Sequence, residues 1–157
     1  MKIETGLQAP DFLLYDSAKN KVALSDFRGK QHVLLLFFPQ AFTGTCTKEL
    51  CSVRDHIQDY NNVNAQVLGI SVDSIFTLAK YKEEQALNFP LLSDFNKEVS
   101  DDYGCLYETF VFDMKGVSKR SAFVIDKDGV VRYAQVLENA GDIPDFNAIS
   151  QVLKTLN

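Results

Sequence analysis

His32-Val33-Leu34-Leu35-Leu36-Phe37-Phe38-Pro39, the stretch HVLLLFFP, is apolar at one position after another and ends at a residue without a backbone N–H. A strand that is apolar on both faces belongs in the middle of a sheet covered on both sides. Gln66 to Val72, QVLGISV, has the same character. Between the two, over Thr45 to Asn62, the residues Cys46, Leu50, Val53, Ile57 and Tyr60 recur at spacings of four, three, four and three, which predicts one helix with an apolar stripe. Strand, helix and strand in that order imply a parallel pair joined by a right-handed crossover.

Working outward from this unit, Ser74 to Leu87 reads as a second helix with Ser74 as its cap. Phe89-Pro90-Leu91-Leu92 then leads to a short helix around Asn96 to Tyr103. Near the end of the chain, Ser121 to Asp126 and Val130 to Leu137 flank Lys127-Asp128-Gly129, and an Asp-Gly step between two apolar runs signals a hairpin. Asp145 to Leu156 carries Phe146, Ile149, Val152, Leu153 and Leu156 on one helical face and should pack on the sheet. The expected architecture is α/β: a mixed central sheet flanked by helices, in a single domain spanning 1–157 with no repeat or linker dividing it.

Composition narrows the function. Hydrophobic residues at 46% and charged residues at 24% are globular values, which exclude a disordered or fibrous chain. Sixteen basic against 21 acidic residues leave a net charge of −5, without the basic footprint that a phosphate backbone requires, so nucleic acid is not an expected partner. No apolar run approaches the ~20 residues of a membrane span, and MKIETGLQAPDF lacks a signal-peptide core; a cytoplasmic protein is the expectation, with no membrane partner. Three cysteines, Cys46, Cys51 and Cys105, are too few and odd in number for a disulfide framework, which turns the question to thiol reactivity.

Cys46 falls in the first turn of a helix that leaves the carboxyl end of a buried strand, the usual ligand address of open α/β sheets. Unpaired N–H groups and the positive end of the helix dipole favour a thiolate at such a place. Cys46 also lies on the apolar stripe, so packing as a small hydrophobe is an equal alternative on position alone.

Phe37-Phe38-Pro39-Gln40-Ala41-Phe42-Thr43-Gly44-Thr45-Cys46 resembles the active loop of the peroxiredoxin family, with Pro39, Thr43 and Cys46 filling its proline, threonine and cysteine positions. Ala9-Pro10-Asp11-Phe12, Phe89-Pro90-Leu91-Leu92-Ser93-Asp94 and Arg120-Ser121-Ala122-Phe123-Val124-Ile125-Asp126 extend the resemblance over nearly the whole chain. Within the family it is most similar to alkyl hydroperoxide reductase E-like members, with bacterioferritin-comigratory proteins as the neighbouring group. The resemblance implies a thioredoxin-like fold and a thiol-dependent peroxidase acting on hydrogen peroxide and organic hydroperoxides. Cys46 would be the peroxidatic thiolate, becoming a sulfenic acid, with Thr43 and Arg120 orienting and polarising the peroxide and Pro39 shielding the sulfur. Away from the motif, Thr43 also reads as a helix N-cap, Arg120 more readily as a surface charge, Pro39 as an ordinary strand terminator, and Glu49 either as a brace for Arg120 or as a solvated helix residue.

A sulfenic acid needs a second thiol. The resemblance to the bacterioferritin-comigratory group points to Cys51, five positions on, whereas alkyl hydroperoxide reductase E-like members often work with one cysteine; a partly buried Cys51 without chemistry stays open. Five residues along an ideal helix separate Cα atoms by about 8.7 Å and turn the side chains ~140° apart, beyond the ~7 Å that a disulfide spans. Disulfide formation therefore requires the segment from Thr43 to Cys51 to unwind. Cys105, after Tyr103-Gly104, reads as a core residue with a resolving role as the lesser alternative. Thioredoxin, a glutaredoxin-type protein or a low-molecular-weight thiol would be the reductant, and no metal or organic cofactor is required. Phe42 and the run Phe110-Val111-Phe112, followed by Met114, fit a flat patch buried in a homodimer and, equally, a place in the core.

Three other readings fit parts of the pattern. A metal site of the cysteines with His32 or His56 lacks the tight two-residue knuckle of most zinc sites. A thioredoxin-like disulfide reductase lacks the paired cysteines separated by two residues. A redox-sensing protein or holdase, with oxidation of Cys46 as a switch, shares the chemistry but not the turnover.

Overall fold

In the computed structural model, which describes residues 2–157, the strands β1 (Leu13–Asp16), β2 (Lys21–Ala23), β3 (His32–Phe37), β4 (Ala65–Ser71), β5 (Leu91–Ser93), β8 (Ser121–Ile125) and β9 (Val131–Val136) form one sheet. Its order is β2-β1-β5-β4-β3-β8-β9. β3, β4 and β5 run parallel, while β1, β8 and β9 pair antiparallel to their neighbours. β3 lies between β4 and β8, and all of its residues are buried, as its two apolar faces require. β6 (Leu106–Thr109) and β7 (Lys115–Ser118) form a separate antiparallel ribbon.

The helices are α1 (Gly44–Asp55), α2 (Ile57–Asn62), α3 (Ile75–Glu84), α4 (Glu98–Asp102) and α5 (Phe146–Thr155). Alternation along β3 divides the core. Leu34, Leu36 and Phe38 share a cluster with Leu50 and Val53 of α1, Leu78 and Tyr81 of α3, and Ile149 and Leu153 of α5. Val33, Leu35 and Phe37 point the other way, to Phe12, Val99, Tyr103 and Phe123. The mixed sheet flanked by helices is thus as expected, and the expected cap is formed, Ser74 accepting from the Thr77 N–H; Asp145 caps α5 in the same way, accepting from the Ala148 N–H.

The expected helix over Thr45 to Asn62 is instead two helices. His56 leaves helical geometry at φ −118°, ψ 20°, and its Nδ1 contacts the Ser52 carbonyl at 2.9 Å. That carbonyl is the acceptor a continuous α-helix would offer to the His56 N–H, which turns to Val53 instead. The hairpin β1–β2 and the ribbon β6–β7 were not foreseen. Both are short, and β1 and β2 leave every residue at least partly exposed, so neither carries a clear apolar alternation.

Candidate active site

β3 ends at Phe37, and buried Pro39 stops any further pairing of the chain before it enters α1. The first helical bond of α1 runs from the Thr47 N–H to the Thr43 carbonyl. The N–H groups of Gly44, Thr45 and Cys46 therefore have no helical acceptor and form the positive end of α1. Thr43 occupies the N-cap backbone position, but its hydroxyl caps no N–H; it donates to the Gln40 carbonyl at 2.8 Å. The N-cap alternative for this side chain is not realised. With its proton so placed, Thr43 Oγ1 has lone pairs left to accept a hydrogen bond.

Arg120 immediately precedes β8, on the strand neighbouring β3, and is 1% exposed. Its Nη2 donates to Cys46 Sγ at 3.2 Å and to the Ala140 carbonyl at 3.0 Å, while Nη1 donates to Glu49 Oε1 at 2.7 Å. The surface-charge alternative for Arg120 is thereby corrected, as is the solvated alternative for Glu49, whose side chain is wholly buried. Cys46 and Glu49 stand three residues apart in α1 and so share the face turned to Arg120. Burial pushes the Glu49 carboxyl up to about 7 against the opposing attraction of Arg120. Among the described residues Glu49 Oε2 and Arg120 Nε have no partner, so the pair is only half satisfied.

Cys46 itself is 1% exposed and opens into a cavity of about 380 Å³ whose wall includes Pro39, Thr43, Arg120, Phe110, Phe112 and Met114. A larger cavity, about 620 Å³, lies among Leu13, Tyr15, Phe76 and Phe95; no cysteine, histidine, lysine or arginine lines it, so the chemistry belongs to the smaller one. All three cysteines are free thiols. Cys51 is half-buried with its Sγ 3.5 Å from Gln85 Oε1, further along α1. Cys105 is wholly buried in the cluster on the other side of β3, where burial pushes its thiol up to about 12. The structure brings Pro39, Thr43, Cys46, Glu49 and Arg120 together, keeps Cys51 on the same helix, and leaves Cys105 apart. Neither His32 nor His56 lines the Cys46 cavity, and no group of three possible metal ligands occurs among the described residues.

Two groups at the site escaped the sequence reading. Asp73, two residues past β4, accepts from the Ala41 N–H at 2.8 Å and the Ser71 hydroxyl at 2.7 Å, tying the loop before Cys46 to the neighbouring strand. The Ala140 carbonyl holds the Arg120 fork; a backbone acceptor leaves no mark in sequence, whereas an aspartate following a buried strand was a visible signal.

Residues 5–134 match the AhpC/TSA family. Alkyl hydroperoxide reductase E of Mycobacterium tuberculosis is 36% identical over 156 residues, covering 98% of each chain. The chloroplastic 2-Cys peroxiredoxin BAS1 of Spinacia oleracea is 36% identical over 141 residues, 83% of this chain and 51% of that one. Among solved structures, the peroxidoxin BcpB from Mycobacterium tuberculosis superimposes with a TM-score of 0.87 at 31% identity, covering 99% of both chains.

Proposed function

Since the chain belongs to the AhpC/TSA family and is a thiol-dependent peroxidase of the peroxiredoxin kind, we propose that Cys46 is the sulfur that peroxide oxidises. The observation that carries this assignment is the Arg120 Nη2 contact to Cys46 Sγ at 3.2 Å, at the wall of a cavity a peroxide can enter. A buried guanidinium against sulfur sets a permanent positive charge beside the nucleophile. Thr43 Oγ1, its proton committed to Gln40, accepts the O–H of the hydroperoxide and turns the peroxide bond toward sulfur. As sulfur bonds to one oxygen, the O–O bond breaks and negative charge gathers on the other oxygen. Arg120 and the unpaired Cys46 N–H are the donors for that charge. A proton converts the leaving oxygen to water or an alcohol, and Cys46 is left as a sulfenic acid.

Cys51 then attacks the sulfenic sulfur, releasing water and forming the Cys46–Cys51 disulfide. An external thiol, whether thioredoxin, a glutaredoxin-type protein or a low-molecular-weight thiol, returns both cysteines to the reduced state. The test is intact-mass analysis of wild type and Cys51→Ser after one equivalent of hydrogen peroxide, together with the rate of peroxide loss. Rapid peroxide loss and a decrease of about 2 Da in wild type, replaced by a trappable sulfenic acid in Cys51→Ser, are expected from the loss of two hydrogens on disulfide formation. A stable sulfenic acid in wild type would assign resolution to an external thiol; absence of rapid peroxide loss would overturn the assignment of Cys46.

A homodimer is part of the same proposal. Phe112 is 93% exposed, Val111 55% and Phe42 49%, an apolar surface beside the site that water covers poorly in a monomer. Sedimentation velocity at micromolar protein is expected to show a dimer that dissociates in Phe112→Asp. A single monomeric species across the concentration range would refute it.

A further inference from the structure

Unwinding of α1 is the step on which resolution by Cys51 turns, and the contacts that hold its first turn differ in kind. Arg120 holds Cys46 through the sulfur itself, so this tie weakens once the thiolate has become a neutral sulfenic acid. Farther along α1, Arg54 Nη1 donates to the Gln85 carbonyl at 2.6 Å, and Cys51 Sγ rests by Gln85 Oε1. These anchor the Cys51 end of the helix to α3. At the Cys46 end, the side-chain bond to α3 joins Thr47 Oγ1 and the Tyr81 hydroxyl at 2.9 Å.

Tyr81 is a fixed post. Its side chain is wholly buried, Phe42 lies over its ring with centroids 5.0 Å apart, and Phe38 packs beside it at 6.3 Å. Phe42 reaches that position from a left-handed backbone, φ 65°, a conformation that residues with side chains seldom adopt. Burial pushes the phenol up to about 12, so it stays an O–H group throughout the neutral range. Melting the first turn of α1 would strip Thr47 from this hydroxyl in a largely apolar cluster, where an unpaired hydroxyl is costly.

We infer that Tyr81 is a positioning residue whose bond to Thr47 clasps the first turn of α1 to α3 and sets how readily the oxidised enzyme unwinds to join Cys46 to Cys51. The inference rests on Cys46 as the oxidised sulfur and Cys51 as its resolver. While the clasp is closed, a second peroxide can oxidise the Cys46 sulfenic acid to a sulfinic acid, with water or an alcohol leaving. Once it is open, Cys51 attacks instead and water leaves. The clasp therefore biases the choice between these two fates without touching the first oxidation.

The experiment compares wild type, Tyr81→Phe, Thr47→Val and the double variant. A net hydrogen bond of this kind shifts an equilibrium about three- to tenfold. In Tyr81→Phe, which keeps the ring packing, amide exchange across 47–50, whose N–H groups bond to the carbonyls of the first turn, is expected to quicken by that factor in the reduced protein. Disulfide formation after a peroxide pulse should accelerate likewise and sulfinic acid yield at excess peroxide should fall, while the rate of sulfenic acid formation changes less than about twofold, since no atom at the sulfur is lost. Thr47→Val should reproduce the effect, and the double variant should go no further, because both changes remove one bond. Unchanged exchange in Tyr81→Phe, or additive effects in the double variant, overturn the clasp. The exchange measurement needs no peroxide, so it judges the clasp even if wild type forms no Cys46–Cys51 disulfide, an outcome that would instead count against Cys51 as resolver.

Discussion

Arg120→Met lowers the second-order rate constant for peroxide by about two to three orders of magnitude, the usual effect of removing one preorganised donor from a developing oxyanion. Three groups converge on this guanidinium: Glu49 Oε1 at 2.7 Å, the Ala140 carbonyl at 3.0 Å and Cys46 Sγ at 3.2 Å. The first two fix the fork, so little reorganisation remains when charge builds on the departing oxygen. Methionine fills a similar volume and removes both the positive charge and every donor. Arg120→Lys should recover little of the rate, because a single ammonium on a flexible stem cannot keep the planar fork geometry that spans the carboxylate and the sulfur. The assay is stopped-flow peroxide consumption at pH 6, below the value near 7 where a buried Glu49 takes up a proton and so limits the damage from its lost partner. A loss of less than about fivefold in a variant that unfolds at the wild-type denaturant midpoint would remove Arg120 from transition-state stabilisation, since even one such donor is ordinarily worth ~2.7–4 kcal/mol.

The sequence marks of this site follow how local each interaction is. β3 and β4 are legible because each is a nearly unbroken apolar run, and Pro39, Thr43 and Cys46 because the loop that holds them is one continuous segment. Arg120 meets Cys46 across 74 positions, and no periodicity spans that gap; only resemblance to a family placed it there. Glu49 reads from sequence either as a brace or as a solvated residue, although its three-residue offset from Cys46 puts both on one helical face. Nothing in composition says that this face is turned inward to a charge. His56 ended α1 for a reason local pattern does not carry, the seating of its ring on the Ser52 carbonyl. The hairpin β1–β2 sits at one edge of the sheet with its side chains partly or fully exposed, so burial left no alternation to read.

The buried carboxyl of Glu49 makes stability depend on pH in a sense opposite to the ordinary carboxylate. Between 4.5, its unperturbed value, and about 7, the folded protein holds a proton there that the unfolded chain has released. The stability supplied by that proton is complete below 4.5 and is lost as pH rises through about 7. A separation of this size corresponds to about 3 kcal/mol at most. His32 acts the other way: it is buried, and burial followed by Lys127 lowers its pKa against the opposing effect of Asn157, so its contribution is lost as pH falls below the histidine value of 6.5. The wild-type profile sums the two, and Glu49→Gln separates them, because glutamine keeps an oxygen for Arg120 Nη1 but cannot titrate. Urea unfolding from pH 4.5 to 8 should show the variant gaining on wild type by up to about 3 kcal/mol as pH rises, with the gain concentrated between pH 5 and 7. Parallel profiles would mean that Glu49 ionises as an ordinary carboxylate. A Glu49 that titrates near neutrality also has a consequence at sulfur: while it holds its proton, the charge of Arg120 is not neutralised from behind, and the guanidinium faces Cys46 as a full cation.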